Sequence, residues 1–307
     1  MNETVGRFAP SPSGPVHLGN IACCLLAYLS ARHQGGRFLL RIEDLDYRRC
    51  PVPNGEAVIR DLRRLGFDWD EEPLWQSRRN AVYQKALEKL RDHLYPCFCT
   101  RAELLASQAP NLGDTQTVYP GTCRNLGPEE IKARSLTRSP ATRLRVPDLE
   151  ISFTDGLQGP VTENLQEACG DFIVRRSDGL WGYQLAVVVD DAASGVTEVV
   201  RGRDILSATP RQIYLCRLLR FPVPRYVHIP LLLDPYGRRL AKRDRDLGLD
   251  QLLTRFTPEQ LLGFLACAYH LIEKPEAVSL PELVEQFDWS RVPRGDVSLP
   301  EGIFEGL

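Results

Sequence analysis

The apolar positions of this chain change period early. Residues 5–9 (Val-Gly-Arg-Phe-Ala) read as a short strand. Three prolines and a glycine follow, and an apolar run then resumes from Leu18 to about Arg32 and is closed by Gln34-Gly35-Gly36, which predicts a helix with a glycine stop. Residues 37–42 (Arg-Phe-Leu-Leu-Arg-Ile) read as a second strand. Strand, helix and strand at this spacing form a β-α-β unit, which predicts parallel strands in a nucleotide-binding α/β domain. Helical patterns follow at 55–65 and 79–94, the second with Ser77 before it as its cap. Over 95–146 the texture turns to cysteine, proline, glycine and polar residues, and this stretch reads as an insertion. Strand-like patches at 142–146, 151–154 and 171–174 lead back to the core. There the run Leu185-Ala186-Val187-Val188-Val189 predicts a buried parallel strand, although its periodicity alone does not separate it from a buried helix. Further strands are expected at 196–201 and 226–233, and helices at 209–219, 258–270 and 281–287. The resulting division is a first half of the core over 1–94, an insertion over 95–146, a second half over 147–245 and a short helical segment over 246–307. No internal repeat interrupts this order.

Composition narrows the class. A hydrophobic content of 43% and a charged content of 25% in 307 residues suit a soluble globular protein. No apolar run approaches the roughly 20 residues that span a bilayer, and the first residues lack a basic region followed by an apolar one, so a cytoplasmic location is expected. The net charge of -2 gives no whole-protein attraction to nucleic acid, but local clusters such as Arg238-Arg239 with Lys242-Arg243 can still meet phosphate. Nine unevenly spaced cysteines argue against a disulfide framework and leave metal binding or plain burial. Cys23, Cys24, Cys50, Cys169, Cys216 and Cys267 read as small core residues.

Four segments carry chemistry. Residues 8–20, Phe-Ala-Pro-Ser-Pro-Ser-Gly-Pro-Val-His-Leu-Gly-Asn, open a helix whose first N–H groups and partial positive charge favour phosphate. Gly19 lets a nucleotide approach the backbone, and His17 and Asn20 supply hydrogen bonds. Residues 41–46, Arg-Ile-Glu-Asp-Leu-Asp, place carboxylates at the carboxyl end of a strand, where open α/β sheets bind ligands. Residues 237–244, Gly-Arg-Arg-Leu-Ala-Lys-Arg-Asp, form a basic loop suited to the charge that builds on a leaving pyrophosphate. Cys97-Phe98-Cys99, Tyr119 and Cys123 follow the spacing C-x-C-x19-Y-x3-C; three thiolates and one more donor would complete a tetrahedral zinc site, and spacing alone leaves burial equally open. Nothing resembles a Ser/His/Asp triad, and the five histidines are scattered.

The whole run 8–20 strongly resembles the first ATP motif of class I aminoacyl-tRNA synthetases, in the form found in glutamyl- and glutaminyl-tRNA synthetases. Segment 41–46 is nearly identical to that family's, and 237–244 stands in the position of its Lys-Met-Ser-Lys-Ser motif. Lys242 matches the second lysine, while Arg239 replaces the first and Ala241 the serine. The resemblance spans residues 4 to 245 and implies an α/β, Rossmann-like catalytic core with an inserted zinc-containing subdomain and a short, mostly helical C-terminal segment. It implies that Pro10, His17, Gly19, Asn20, Arg239 and Lys242 bind ATP, with His17, Gly19, Asn20 and Lys242 catalytic. By the same resemblance Arg7, Ser11, Glu43, Tyr183 and Arg201 hold glutamate, Glu43 receiving its α-ammonium, with Asp191 and Asp204 as weaker candidates. Cys97, Cys99, Tyr119 and Cys123 would hold one Zn²⁺, and Mg²⁺ would accompany ATP.

Glutamyl-tRNA synthetases continue into an anticodon-binding domain, whereas only residues 246–307 follow the second ATP motif here. That length, and the segment 287–293, resemble a shortened branch of the family that passes glutamate to the queuosine base at the wobble position of tRNA(Asp). The expected partners are thus ATP, L-glutamate and tRNA(Asp) carrying queuosine, without a membrane, and a monomer is expected. A minimal enzyme charging the 3′ end of tRNA(Glu) and a non-catalytic RNA-binding relic are the competing readings.

Overall fold

The computed structural model of the protein describes residues 3–100, 103, 118–233, 237 and 248–299. The opening pattern folds as a β-α-β unit. Strands β1 (Val5–Phe8) and β2 (Arg37–Ile42) pair in parallel with Val5 opposite Arg37, and β3 (Leu74–Trp75) extends the sheet beyond β2. Helix α1 (Leu18–His33) connects the first two strands and is buried almost all round, because β1 lies on one side and C-terminal elements cover another. Helices α2 (Val52–Arg64) and α3 (Asn80–Lys89) follow.

The chain then leaves the core. Strands β4 (Leu94–Cys97), β5 (Ala141–Leu144) and β8 (Phe172–Arg175) form an antiparallel sheet; helix α4 (Pro128–Thr137) lies between β4 and β5 in the chain, and the hairpin of β6 (Glu150–Asp155) and β7 (Gly159–Asn164) between β5 and β8. It returns through helix α5 (Tyr183–Ala193), strand β9 (Glu198–Gly202), helix α6 (Thr209–Leu219) and strand β10 (Arg225–Ile229). Strands β9 and β10 are parallel. Their sheet meets the first along its edge, where Thr197 N–H donates to Val5 O at 3.0 Å and Val5 N–H to Thr197 Oγ1 at 2.8 Å. The carboxyl ends of β1, β2 and β9 consequently open on one side, the usual place for ligands in such sheets.

Helices α7 (Pro258–Ala268) and α8 (Leu280–Gln286) complete the described chain, and strand β12 (Val297–Ser298) pairs with β11 (Leu232–Leu233). This segment docks on α1, Trp289 Nε1–H donating to Ser30 Oγ at 3.0 Å. Among the described residues no helix is long and apolar enough to cross a membrane.

Three expectations are corrected. The run 185–189 is helical, not a strand: it lies inside α5, packed against α3 and α6, and a helix buried on every side shows no amphipathic period. The helix expected over 79–94 ends at Lys89; a 3-10 turn over Arg91–His93 follows and Leu94 opens β4. Ser77 caps nothing in α3, whose cap position is Arg79; instead its N–H and hydroxyl both donate to Asp44, at 2.9 and 2.5 Å.

Candidate active site

The start of α1 forms one wall of a cavity of about 410 Å³, lined also by Cys23, Asp204, Leu231 and Tyr269. His17 occupies the N-cap position in extended conformation, and its backbone bridges Gly248, the first described residue after the basic loop. Asn20 Oδ1 faces His17 N–H at 3.5 Å. A Cβ on Gly19 would stand 3.2 Å from the His17 ring, so glycine leaves the imidazole its room. Gly202 works in the same way: a Cβ there would meet Asp204 Oδ1 at 2.6 Å, and without it the carboxylate folds back toward the cavity. Cys23 is not simply core, as its sequence context suggested; it lines this cavity, with a thiol that burial raises to about 11. Arg239 and Lys242 lie outside the described residues.

A second cavity of about 560 Å³ is lined by Ser11, Glu43, Trp181, Tyr183, Arg176 and Arg211, among others. One of its lining residues, Glu43, belongs to a buried charge network. Arg7 Nε lies 3.3 Å from Asp191 Oδ1, and Arg7 Nη1 donates to Val200 O at 3.2 Å. Arg41 spans Asp191 at 2.5 Å and Glu43 at 3.3 Å. Burial pushes the Asp191 carboxyl up, but the Arg41 and Arg7 guanidinium groups more than reverse it, leaving the pKa below the ordinary value. Glu43 is the contrary case: burial raises its pKa, and Arg41 and Arg7 only partly oppose the rise. Ser11 Oγ stands 3.5 Å from Glu43 Oε2, and Pro10 O accepts from Glu43 N–H at 3.0 Å.

Tyr183 is the first residue of α5 and 40% exposed; the charges of Arg201, Glu43 and Arg7 all reach its phenol. Arg201 is buried on β9, its guanidinium held by His228, Gln212 and Thr209. Ser11, Glu43 and Tyr183 therefore share one cavity, and the buried Arg7 and Arg201 act on Tyr183 through their charges. Sequence reading missed Arg41 as a site residue and His228 altogether. The pattern Arg41-x-Glu43 at a strand end was the available signal for the first; for the second there was none, because its acidic partner is Asp155.

The third feature is a metal-shaped cluster. Cys97, Cys99 and Cys123 bring their sulfur atoms within 4.8 Å of one another, with Cys99 and Cys123 at 3.5 Å. Tyr119 Oη is 3.5 Å from Cys97 Sγ and 3.8 Å from Cys99 Sγ. Tetrahedral zinc with bonds of about 2.3 Å to sulfur and about 2.0 Å to oxygen sets S···S near 3.8 Å and S···O near 3.5 Å, so the donors fit. Tyr119 Oη also accepts from Cys123 N–H at 2.8 Å. Arg143 lies 3.6 Å over the Tyr119 ring and donates to Cys97 Sγ at 3.1 Å, a cation placed where a metal-bound thiolate would carry its charge. All nine cysteines are free thiols.

A parallel sheet whose strand ends open beside the start of α1 and a buried network of arginines and carboxylates agrees with the catalytic core of a class I aminoacyl-tRNA synthetase. The chain matches the family "tRNA synthetases class I (E and Q), catalytic domain" over residues 3–295 and belongs to it. It is a ligase of the aminoacyl-tRNA synthetase class. The Glutamyl-Q tRNA(Asp) synthetase of Symbiobacterium thermophilum is 50% identical over 309 aligned residues, covering 96% of this chain and 95% of that one. The protein of the same name from Nitratidesulfovibrio vulgaris is 49% identical over 274, covering 85% of each. Among solved structures, the glutamate-tRNA synthetase of Elizabethkingia anophelis superposes with a TM-score of 0.85 at 26% identity, over 98% of this chain and 69% of that one.

Proposed function

We propose that the protein activates glutamate with ATP and transfers it to the queuosine base of tRNA(Asp). The observation that carries the reading is the cavity lined by Glu43 and Tyr183, with the buried cations Arg7, Arg41 and Arg201 in electrostatic reach, together with a separate cavity at the start of α1. A ligand with two carboxylates and one ammonium needs two cationic anchors and an acidic one, and this pocket holds that set. ATP would occupy the cavity lined by His17, Gly19, Asn20 and Asp204, with Pro10 on the adjoining loop. The glutamate α-carboxylate then attacks the α-phosphorus and pyrophosphate leaves, its charge met by His17 and by Lys242 and Arg239 of the basic loop. In the second step a hydroxyl of the acceptor attacks the acyl carbon and AMP leaves. No side chain need act as nucleophile; the protein contributes position and charge. Mg²⁺ enters with ATP as part of that substrate.

The choice of acceptor rests on the name that the relatives share, the alignment spanning 95% of the Symbiobacterium protein. The rim of the second cavity agrees with an RNA acceptor. Its loop supplies Asp46 and Arg49 to the wall and presents Tyr47, 62% exposed, with the Arg48 guanidinium 5.7 Å from the ring; aromatic and cationic groups interleaved in this way suit an unpaired base. Glutamate-dependent ATP/pyrophosphate exchange tests the first step. Labelled glutamate offered with tRNA(Asp) containing queuosine, tRNA(Asp) lacking it, and tRNA(Glu) tests the second. Labelling is expected only with the first RNA, and labelling of either of the others would reject the reading. Tyr47→Ala is expected to weaken the RNA step by about 10-fold, several times more than it affects exchange.

Cys97, Cys99, Tyr119 and Cys123 are proposed to hold one Zn²⁺ that clips the inserted segment, a structural role for a four-donor site without an open position. Cys97→Ala and Cys123→Ala should each abolish stoichiometric zinc, as measured by metal analysis of purified protein. Unchanged zinc content in both would remove the assignment.

A further inference from the structure

We infer that Asp155 and His228 are positioning residues that aim Arg201 at a substrate carboxylate; this rests on the reading of the pocket as a glutamate site. Arg201 and His228 are direct register partners on the adjacent strands β9 and β10. Arg201 Nε–H donates to His228 Nε2 at 2.9 Å. Arginine can only donate, so Nε2 must carry the lone pair and Nδ1 the proton. That proton faces Asp155 Oδ2 at 2.6 Å. The tautomer is thus set by the two neighbours, and burial, working against the pull of Asp155, presses the imidazole pKa below its ordinary value.

Asp155 is itself fixed. Its Oδ1 accepts the N–H groups of Leu157, Gln158 and His228 at 3.0, 2.9 and 3.1 Å. The other side of the guanidinium is equally constrained: Nη1 donates to Gln212 Oε1 and Nη2 to Thr209 Oγ1, both at 2.7 Å. Gln212 in turn donates to Gln184 Oε1 at 2.9 Å, which fixes its amide orientation.

The charge arrangement argues for more than packing. A buried arginine is ordinarily paired with a carboxylate, as Arg7 and Arg41 are with Asp191. Among the described residues Arg201, 4% exposed, forms no salt bridge; its three side-chain acceptors are neutral. Asp155 is held one imidazole away. Three of the five N–H groups are engaged, and one remains on each terminal nitrogen, the donor set that a carboxylate uses. The network locks the cation in orientation while leaving its charge for an anionic ligand.

The test is glutamate-dependent ATP/pyrophosphate exchange with the full chain, read as separate KM values for glutamate and ATP. His228→Asn keeps an amide near Asp155 but cannot reach Arg201; it should raise the glutamate KM by about 10-fold or more while leaving the ATP KM within about twofold. His228→Gln places an acceptor oxygen where Nε2 stood and should recover most of that loss. Thr209→Val, which removes the Nη2 acceptor at nearly constant volume, should raise the glutamate KM several-fold and stands in if the asparagine variant does not fold. The inference fails if the asparagine and valine variants melt lower with the glutamate KM unmoved, or if glutamine at 228 is no better than asparagine. Unaltered protein that catalyses no glutamate-dependent exchange overturns the glutamate reading itself, and this inference with it.

Discussion

Asp191→Ala is expected to lower stability by about 3–5 kcal/mol, the usual consequence of stranding buried charge, or on the order of 10 °C in melting temperature for a chain of this size. One carboxylate oxygen faces both Arg7 Nε and Arg41 Nη1, and all three side chains are nearly solvent-free. Its removal leaves two guanidinium groups against each other, with Glu43 the acid still in direct contact with Arg41 and Asp190 acting from further away. The pH dependence has a definite sign. The folded pKa of Asp191 is depressed, so its contribution is fully present above the ordinary carboxylate range and is lost as pH falls through the folded value. Thermal melts of wild type and variant should therefore differ most near neutrality and converge in strong acid. A melting temperature within about 2 °C of wild type at pH 7 would mean that the network is not held by this residue.

The parts of this site that lie close together in sequence were legible; those assembled by the sheet were not. The β-α-β unit announced itself because the strand and helix periods alternate within forty residues, with a turn rich in proline and glycine between them. The glutamate anchors could be named residue by residue through the family's motifs; the fold brings Ser11, Glu43 and Tyr183 to one cavity and buries Arg7 and Arg201 within electrostatic reach of Tyr183. Helix α5 was misread because Leu185 to Val189 are all buried, so the hydrophobic pattern carries no face. Asp191 ranked low for a related reason: a second acid at the end of an apolar run reads as the point where a strand stops, and its partners Arg7 and Arg41 stand more than a hundred positions earlier. His228 sits in a strand where any moderately sized residue would fit the pattern. Only the pairing of β9 with β10 and the hairpin carrying Asp155 make it a part of the site. Periodicity predicts elements well and predicts poorly which polar side chains they bring face to face.

Glu43→Gln should cost glutamate activation about 100-fold or more in kcat/KM, the scale of removing one partner from a desolvated charge pair. The carboxylate is proposed to receive the substrate ammonium; glutamine keeps the shape and one acceptor oxygen but loses the charge, so the effect isolates electrostatics from packing. Two features separate this from general damage. The ATP KM should hold, because Glu43 lines the second cavity and not the one at the start of α1. The pH profile should also change form. Burial raises the folded pKa of Glu43, and only the ionised form can accept an ammonium. Wild-type kcat/KM for glutamate should therefore decline as pH falls through a value above the ordinary carboxylate range, and the glutamine variant should lack that limb. An acid limb that persists unchanged in Glu43→Gln would assign the titration to another group and take the ammonium-binding role from Glu43. A lost limb with an unchanged kcat/KM at neutral pH would show instead that the carboxylate titrates in the pocket without contacting the substrate.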